Sequence, residues 1–282
     1  MPARLSPEAP SVQDLEIRLL MDAVYARYSH DFRDYSAASQ KRRVLYALEQ
    51  MQCDSVSALQ GRVLRDESAF ARLLDLLTIP FTEMFREPEF FLALRRQVVP
   101  VLHTYPSLKI WVAGCATGEE VYSLAILLQE EGLLERSLIY ATDINPAALE
   151  RARQGVVARA DLAHCQRNYE AAGGTGRFVS YCTASTPSSD VAQFDRALGR
   201  HLTFADHSLA TDHVFSEMHL ICCRNVLIYF NRTLQDRALG LFTESLCHRG
   251  FLGLGSKESL DFSAHGQAYE AVAARERLFR KR

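Results

Sequence analysis

The sequence predicts an α/β fold, a mostly parallel sheet covered on both faces by helices, joined to a separate all-helical region at the N-terminal end. Up to about residue 78 apolar residues recur only at helical spacing. From Lys109 onward, short apolar runs rich in strand formers alternate with helix-length segments. The first of those runs ends in a glycine turn that opens a helix, the place where open α/β sheets bind their ligands.

In the helical region Leu15, Leu19, Leu20, Val24 and Tyr25 share one periodicity, and Val44, Leu45, Leu48 and Met51 another. Ser55 is an N-cap for a helix over 56–64, and Asp66 for one over 68–77. In the second region Lys109-Ile110-Trp111-Val112-Ala113 predicts a strand, residues 117–131 a helix ended by Gly132, and Leu138-Ile139-Tyr140-Ala141-Thr142 a second strand. Asn145 and Pro146 open the next helix, as N-cap and first-turn proline. Residues 218–223 form a third apolar run, Asn231 caps a helix through Cys247, and residues 250–255 read as another strand. Residues 165–204 interrupt this alternation. Gly173-Gly174-Thr175-Gly176, then Phe178-Val179-Ser180-Tyr181-Cys182-Thr183 and Pro187-Ser188-Ser189, predict a small exposed insertion with one or two strands. The predicted domains are 1–78 and 79–282.

Composition narrows the function. A net charge of −2 over 282 residues argues against a nucleic-acid protein, which carries a basic excess. The polar opening residues lack a signal peptide's apolar stretch, and no apolar run is long enough to span a bilayer. The seven cysteines are odd in number and scattered, as expected of reduced, packed thiols in a cytosolic protein rather than a zinc site. Cys222, Cys223 and Trp111 read as core. His103, His164, His207 and His213 share no spacing and read as surface or packing residues.

Gly114-Cys115-Ala116-Thr117-Gly118-Glu119-Glu120 is the most informative stretch. Its glycines let a ligand approach the backbone. Two cofactor classes use this geometry. A dinucleotide would set its pyrophosphate on the helix N-terminus, where Glu119 and Glu120 repel it. The full G-x-G-x-x-G spacing is also absent. A cofactor bearing a sulfonium and an ammonium group suffers no such repulsion, so S-adenosylmethionine is favoured over NAD. Asp143, after the second strand, suits the two ribose hydroxyls of either.

Five segments then carry a resemblance over nearly the whole chain. They are Thr82-Glu83-Met84-Phe85-Arg86, Ala113-Gly114-Cys115-Ala116-Thr117-Gly118-Glu119-Glu120-Val121-Tyr122-Ser123, Ala141-Thr142-Asp143-Ile144-Asn145, Cys223-Arg224-Asn225-Val226-Leu227-Ile228-Tyr229-Phe230 and Gly255-Ser256-Lys257-Glu258-Ser259-Leu260. In this order they resemble the CheR family of chemoreceptor glutamate methyltransferases. The resemblance implies a class I (Rossmann-like) S-adenosylmethionine methyltransferase domain, an N-terminal all-α substrate-docking domain and a small antiparallel β insertion. By resemblance, Thr82 and Arg86 reach over the cofactor, Arg86 meeting the methionine or the acceptor carboxylate. Glu119 partners the ammonium group and Asp143 the ribose, while Ser208 and Leu209 flank the adenine. Arg224 and Asn225, at the end of the fourth strand, are cofactor-binding residues, and Tyr229, facing methyl transfer, is catalytic together with Arg86.

The implied partners are chemoreceptor cytoplasmic helices, docked by Arg42 and Arg43, with a receptor tail peptide at the insertion. The implied location is cytoplasmic, and the implied product is S-adenosylhomocysteine. Three departures stand out. Pro80 replaces an Asn of some members, Ser208 replaces the usual Asn, and Tyr46, Ala47 and Leu48 take places where further arginines usually thicken a basic face.

The expected acceptor, a glutamate carboxylate, is ionised at neutral pH and needs no general base. The absence of a His-Asp or Cys-His constellation is therefore no objection. The competing readings are another protein or small-molecule carboxylate as acceptor, and a non-catalytic, cofactor-binding signalling adaptor.

Overall fold

The computed structural model describes residues 10–78, 82–183, 190–261 and 263–282; Pro80 and Pro187-Ser188-Ser189 lie outside the described residues. The chain divides into two compact units, residues 1–79 and 80–282.

The first unit holds α1 (Val12–Tyr28), α2 (Ala37–Met51), α3 (Val56–Val63) and α4 (Glu67–Leu77). Ser11, Ser36, Ser55 and Asp66 each accept a first-turn N–H through the side chain, which satisfies donors the helix cannot. Leu20, Val24, Val44, Ala47, Leu59, Val63 and Leu73 are buried. Tyr28 stacks on Phe70 with centroids 3.8 Å apart, and its hydroxyl donates to the Val63 carbonyl at 2.7 Å.

Two expectations change here. Leu15, Leu19 and Tyr25 are exposed, while Ile17, Leu20, Met21 and Val24 face inward, so the buried stripe of α1 is rotated from the one expected. On α2, Ala47 belongs to the core beside Val44 and Leu48 is half-buried, so only Tyr46 is an exposed apolar substitute on the basic face. Arg42 is exposed and Arg43 half-buried.

The second unit begins with residues 82–87, here called the arm. It continues through α5 (Pro88–Ala93), a π-helical turn Leu94–Val98 and α6 (Val99–Leu102). Then come β1 (Leu108–Ala113), α7 (Glu119–Glu130), β2 (Ser137–Asp143) and α8 (Pro146–Gln154). The insertion follows as β3 (Val156–Ala158), α9 (Leu162–Ala171), β4 (Cys182–Thr183), β5 (Val191–Phe194) and α10 (Arg196–Gly199). The unit closes with β6 (Leu202–Asp206), β7 (Met218–Cys223), α11 (Arg232–Ser245), β8 (Leu246–Leu254), β9 (Tyr269–Ala273) and β10 (Leu278–Lys281).

Among the described residues seven strands form one sheet in the order β6-β2-β1-β7-β8-β10-β9. The first five run parallel, and β10 and β9 pair antiparallel, so the sheet is mixed. Central strands are nearly continuously apolar because helices cover both faces: Ile110, Trp111, Ile139, Ala141, Ile221 and Cys222 are fully buried. The chain runs from β1 outward to β2 and β6, then crosses back to β7 on the other side of β1. The carboxyl end of β1 is therefore the switch point where such sheets open a crevice.

The insertion differs from expectation in three ways. Its three-stranded antiparallel sheet, β3-β5-β4, takes one strand from residues 156–158, before the range expected. Phe178–Tyr181 forms a 3-10 turn rather than a strand, and α9 fills much of the rest. Residues 202–206 belong to the main sheet. The hairpin β9–β10 is a further addition, since neither strand carries an apolar run that stands out in the sequence.

Candidate active site

The carboxyl ends of β1 and β2 build one corner. Gly114 has φ +75° and Gly118 φ +97°, values that favour glycine. A Cβ at Gly114 would meet Val226 at 2.5 Å, and one at Gly118 would meet Ala152 at 2.9 Å. The side-chain space at both glycines is taken by the protein's own packing. Asp143 closes the corner. Its Oδ2 accepts from the Ala116 N–H and its Oδ1 from the Asn145 N–H, each at 2.9 Å. Asp206, its register partner on β6, faces it. Burial raises the Asp143 pKa, and the Asp206 charge adds to that rise. His207 donates from its N–H to the Asp143 carbonyl at 3.4 Å, which brings Ser208 and Leu209 to this corner. The Ser208 N–H donates to Asp212 at 2.9 Å and its hydroxyl accepts from Ala210 at 3.3 Å, forming a tight turn over a buried Leu209.

Glu119, at the first position of α7, is half-buried and accepts from the Thr117 hydroxyl at 2.7 Å. Among the described residues no cation pairs with it, and burial raises its pKa.

Glu120 points elsewhere. It accepts from Arg224 Nη1 at 2.9 Å, and burial raises its pKa against the pull of that guanidinium. Arg224, fully buried in its side chain, donates Nη2 to the Arg86 carbonyl at 2.7 Å and to Glu87 at 3.0 Å. Its guanidinium carbon lies 4.0 Å from the Phe90 ring centroid. One side chain thus joins the arm, α7 and the end of β7.

A second carboxylate organises the turn after β7. Glu258 accepts from the N–H groups of Val226 at 2.8 Å, Asn225 at 3.1 Å, Ile228 at 3.3 Å and Gly255 at 2.6 Å. Burial raises its pKa, opposed by these donors. Tyr229 ends the 3-10 turn Leu227–Tyr229 that these bonds hold. Gly255 is required there, since a Cβ would lie 2.7 Å from the Asn225 nitrogen.

The arm is fixed at successive residues. Glu83 Oε2 lies 2.7 Å from His164 Nε2, and the Met84 carbonyl accepts from Asn168 at 3.0 Å. The Phe85 N–H donates to Ser123 at 2.8 Å, and Glu87 accepts from the Ser256 hydroxyl at 2.7 Å. Phe85 and Glu87 both hold positive φ. Thr82 and Arg86, half-buried, are carried on this frame, and Arg86 lies within electrostatic reach of Glu120.

The structure therefore gathers the arm residue Arg86 with Arg224 and Asn225, and joins Glu119, Asp143, Ser208 and Leu209 around the β1–β2 corner. Arg42 and Arg43 belong to the other unit. Sequence reasoning missed Glu87, Glu258, Ser123 and the His164 contact. The Glu258 signal was available as an acidic residue just beyond a glycine-ended strand. His164 is a partner of the arm and not a plain surface residue. His207 packs edge-on against Trp111 and Phe215. Among the described residues no cluster suited to a metal ion occurs, and no helix is long and apolar enough to cross a membrane.

These features test the cofactor. Half-buried carboxylates at Glu119 and Asp143, without a cationic partner at Glu119, suit a nucleoside that carries positive charge and repel a pyrophosphate. Fold and corner together define a nucleoside-binding α/β domain with acidic residues at the carboxyl ends of its first two strands. The family model "CheR methyltransferase, SAM binding domain" matches residues 80–277, and "CheR methyltransferase, all-alpha domain" matches residues 15–78. The chain belongs to the CheR methyltransferase family, and S-adenosylmethionine is its cofactor. Cher3 of Pseudomonas putida is 60% identical over 268 residues, covering 95% of this chain and 97% of that protein. The chemotaxis protein methyltransferase of Listeria monocytogenes is 30% identical, covering 82% of this chain and 84% of its own length. That of Salmonella typhimurium is 26% identical, covering 93% and 92%. Methyl transfer in chemotaxis is thus the activity of the family.

Proposed function

We propose that this chain methylates glutamate side chains on the cytoplasmic helices of chemoreceptors, in the cytoplasm, forming methyl esters. The observation that supports this reading is Arg86 on an arm whose backbone Arg224 pins, within electrostatic reach of Glu120 at the start of the helix that also carries Glu119. An arginine fork suits a carboxylate, and the site needs no base for an acceptor already ionised.

In this reading Glu119 pairs with the cofactor's ammonium group, Asp143 receives the ribose hydroxyls, and Ser208 and Leu209 flank the adenine. Thr82 and Arg86 cover the cofactor, Arg86 orienting a carboxylate. Asn225 and Tyr229 line the transfer side. Arg224, its fork already engaged, acts by holding the arm. S-adenosylmethionine supplies a methyl group on a cationic sulfur. The chain's own part is orientation and exclusion of water. Esterification removes one negative charge from the receptor helix, a change able to bias a two-state receptor. Arg42 and Arg43 hold the acidic helix, and an edge of the β3-β5-β4 sheet accepts a receptor tail as an added strand. The exposed Tyr46 beside Arg42 favours, as a second reading, a less acidic partner carrying the acceptor carboxylate.

The test is transfer of labelled methyl from S-adenosylmethionine to receptor-containing membranes. Base-labile label on receptor bands, lost in Asp143→Ala, is the expected result. Reversing both charges, Arg42→Glu with Arg43→Glu, is expected to lower receptor labelling roughly tenfold and leave cofactor affinity unchanged. Cofactor binding without label on any receptor would end the glutamate reading and favour another acceptor or an adaptor.

Cofactor binding also carries a pH signature. Burial lifts Glu119 and Asp143 above the ordinary carboxylate range. A cationic ligand favours their ionised forms. Affinity therefore falls as pH drops through the raised pKa values, and binding below neutrality releases protons. Calorimetry at pH 5 and 7.5, in buffers of different ionisation heat, is expected to show affinity roughly three- to tenfold weaker at pH 5. Equal affinities with no proton release would contradict it.

A further inference from the structure

The arm meets the insertion through one helix. His164 and Asn168 stand one turn apart on α9, Tyr169 directly follows Asn168, and each touches a different arm residue. Asn168 Nδ2 donates to the Met84 carbonyl at 3.0 Å, His164 Nε2 lies 2.7 Å from Glu83 Oε2, and Tyr169 packs edge-on to Phe85 with centroids 5.5 Å apart. Phe85 has φ +51° and Glu87 φ +55°. Non-glycine residues keep such conformations only where their surroundings over-determine them. The backbone partners on the other side, Ser123 and Arg224, fix residues 85 and 86. Residues 83 and 84, between Thr82 and Phe85, are fixed by α9.

We infer that His164 and Asn168 are positioning residues for methyl transfer: α9 sets the register of the arm and so places Thr82 and Arg86 over the cofactor. This rests on the roles proposed above for those two arm residues. The two contacts are unequal. The His164–Glu83 pair is part-exposed on both sides, 45% and 34%, and is screened by solvent. The Asn168 amide bonds a part-buried backbone carbonyl that a smaller side chain leaves without this donor. His164 Nε2 also lies 3.2 Å from Asn168 Nδ2; in the tautomer whose Nε2 hydrogen goes to Glu83 it cannot accept from that amide, which serves Met84. Asn168 is therefore the larger contributor.

The test uses the full chain and reads calorimetric affinity for S-adenosylhomocysteine, kcat and KM, and thermal unfolding. Asn168→Ala is expected to weaken the affinity roughly five- to tenfold and His164→Ala roughly two- to threefold, with kcat falling in parallel. His164→Gln, which keeps a donor for Glu83, is expected to restore the wild-type values. Arg167→Ala, exposed on the same helix, is expected to change none of them. Arg86→Ala in the same assays separates the two claims. If Arg86→Ala weakens binding or transfer and the double variant His164→Ala/Asn168→Ala leaves affinity and kcat at wild-type values, the positioning role is overturned and the arm's function stands. If Arg86→Ala has no effect, the arm's function falls, and the positioning role falls with it. A lowered melting temperature with unchanged affinity and kcat would reduce α9 to a structural support and overturn the inference.

Discussion

Arg224→Met is expected to destabilise the 80–282 unit by about 3–5 kcal/mol and to abolish methyl transfer. The cost does not measure the strength of the ion pairs. It arises because Glu120 and Glu87 keep their charges with the counter-charge gone, and because the Arg86 carbonyl loses its donor. Lysine is no substitute, since an ammonium cannot reach two carboxylates and a carbonyl as a planar fork does, nor stack on Phe90 as this guanidinium does. Urea unfolding followed by fluorescence, with calorimetric cofactor binding, checks the result. Adding Glu120→Gln and Glu87→Gln to Arg224→Met is expected to recover a large part of the stability and none of the activity. A loss below about 1 kcal/mol for Arg224→Met alone would mean that solvent reaches the network.

Glu258→Gln is expected to cost about 2–4 kcal/mol and to reduce kcat more than cofactor affinity. The carboxylate accepts four backbone N–H groups, three from the turn after β7 and one from the end of β8. An amide offers one oxygen and turns donors of its own toward N–H groups, so at least one or two bonds are lost. The turn carrying Asn225 and Tyr229 then loosens, while the β1–β2 corner, held by separate bonds, stays intact. Steady-state kinetics beside S-adenosylhomocysteine titration separates the two effects. Wild-type kcat in a folded Glu258→Gln protein would show that the turn's geometry does not limit transfer.

The parallel core was legible because its strands are short apolar runs punctuated by glycine, asparagine and proline, and the helical unit because of its apolar periodicity and the Ser55 and Asp66 caps that announce its last two helices. The β9–β10 hairpin and the bounds of the insertion's strands were not, since β4 has two residues and β9 is largely half-exposed, leaving little periodicity to find. At the site, Asp143 and Glu119 could be nominated because sequence position alone puts them at strand end and helix start. Arg224 looked like a ligand residue, and the structure engages its fork inside the protein. Glu87, Glu258 and His164 escaped because their meaning lies in partners 169, 33 and 81 residues away, and periodicity does not reach that far.

Those separations set an order of assembly. The cofactor corner closes when Ala116 meets Asp143, 27 residues on. The arm is joined to the ends of β7 and β8 only when Arg86 meets Arg224 across 138 residues and Glu87 meets Ser256 across 169. Closure entropy grows with the length of chain enclosed, and contacts between distant segments form late. The β1–β2 corner can therefore organise while the arm and the turn after β7 are still apart.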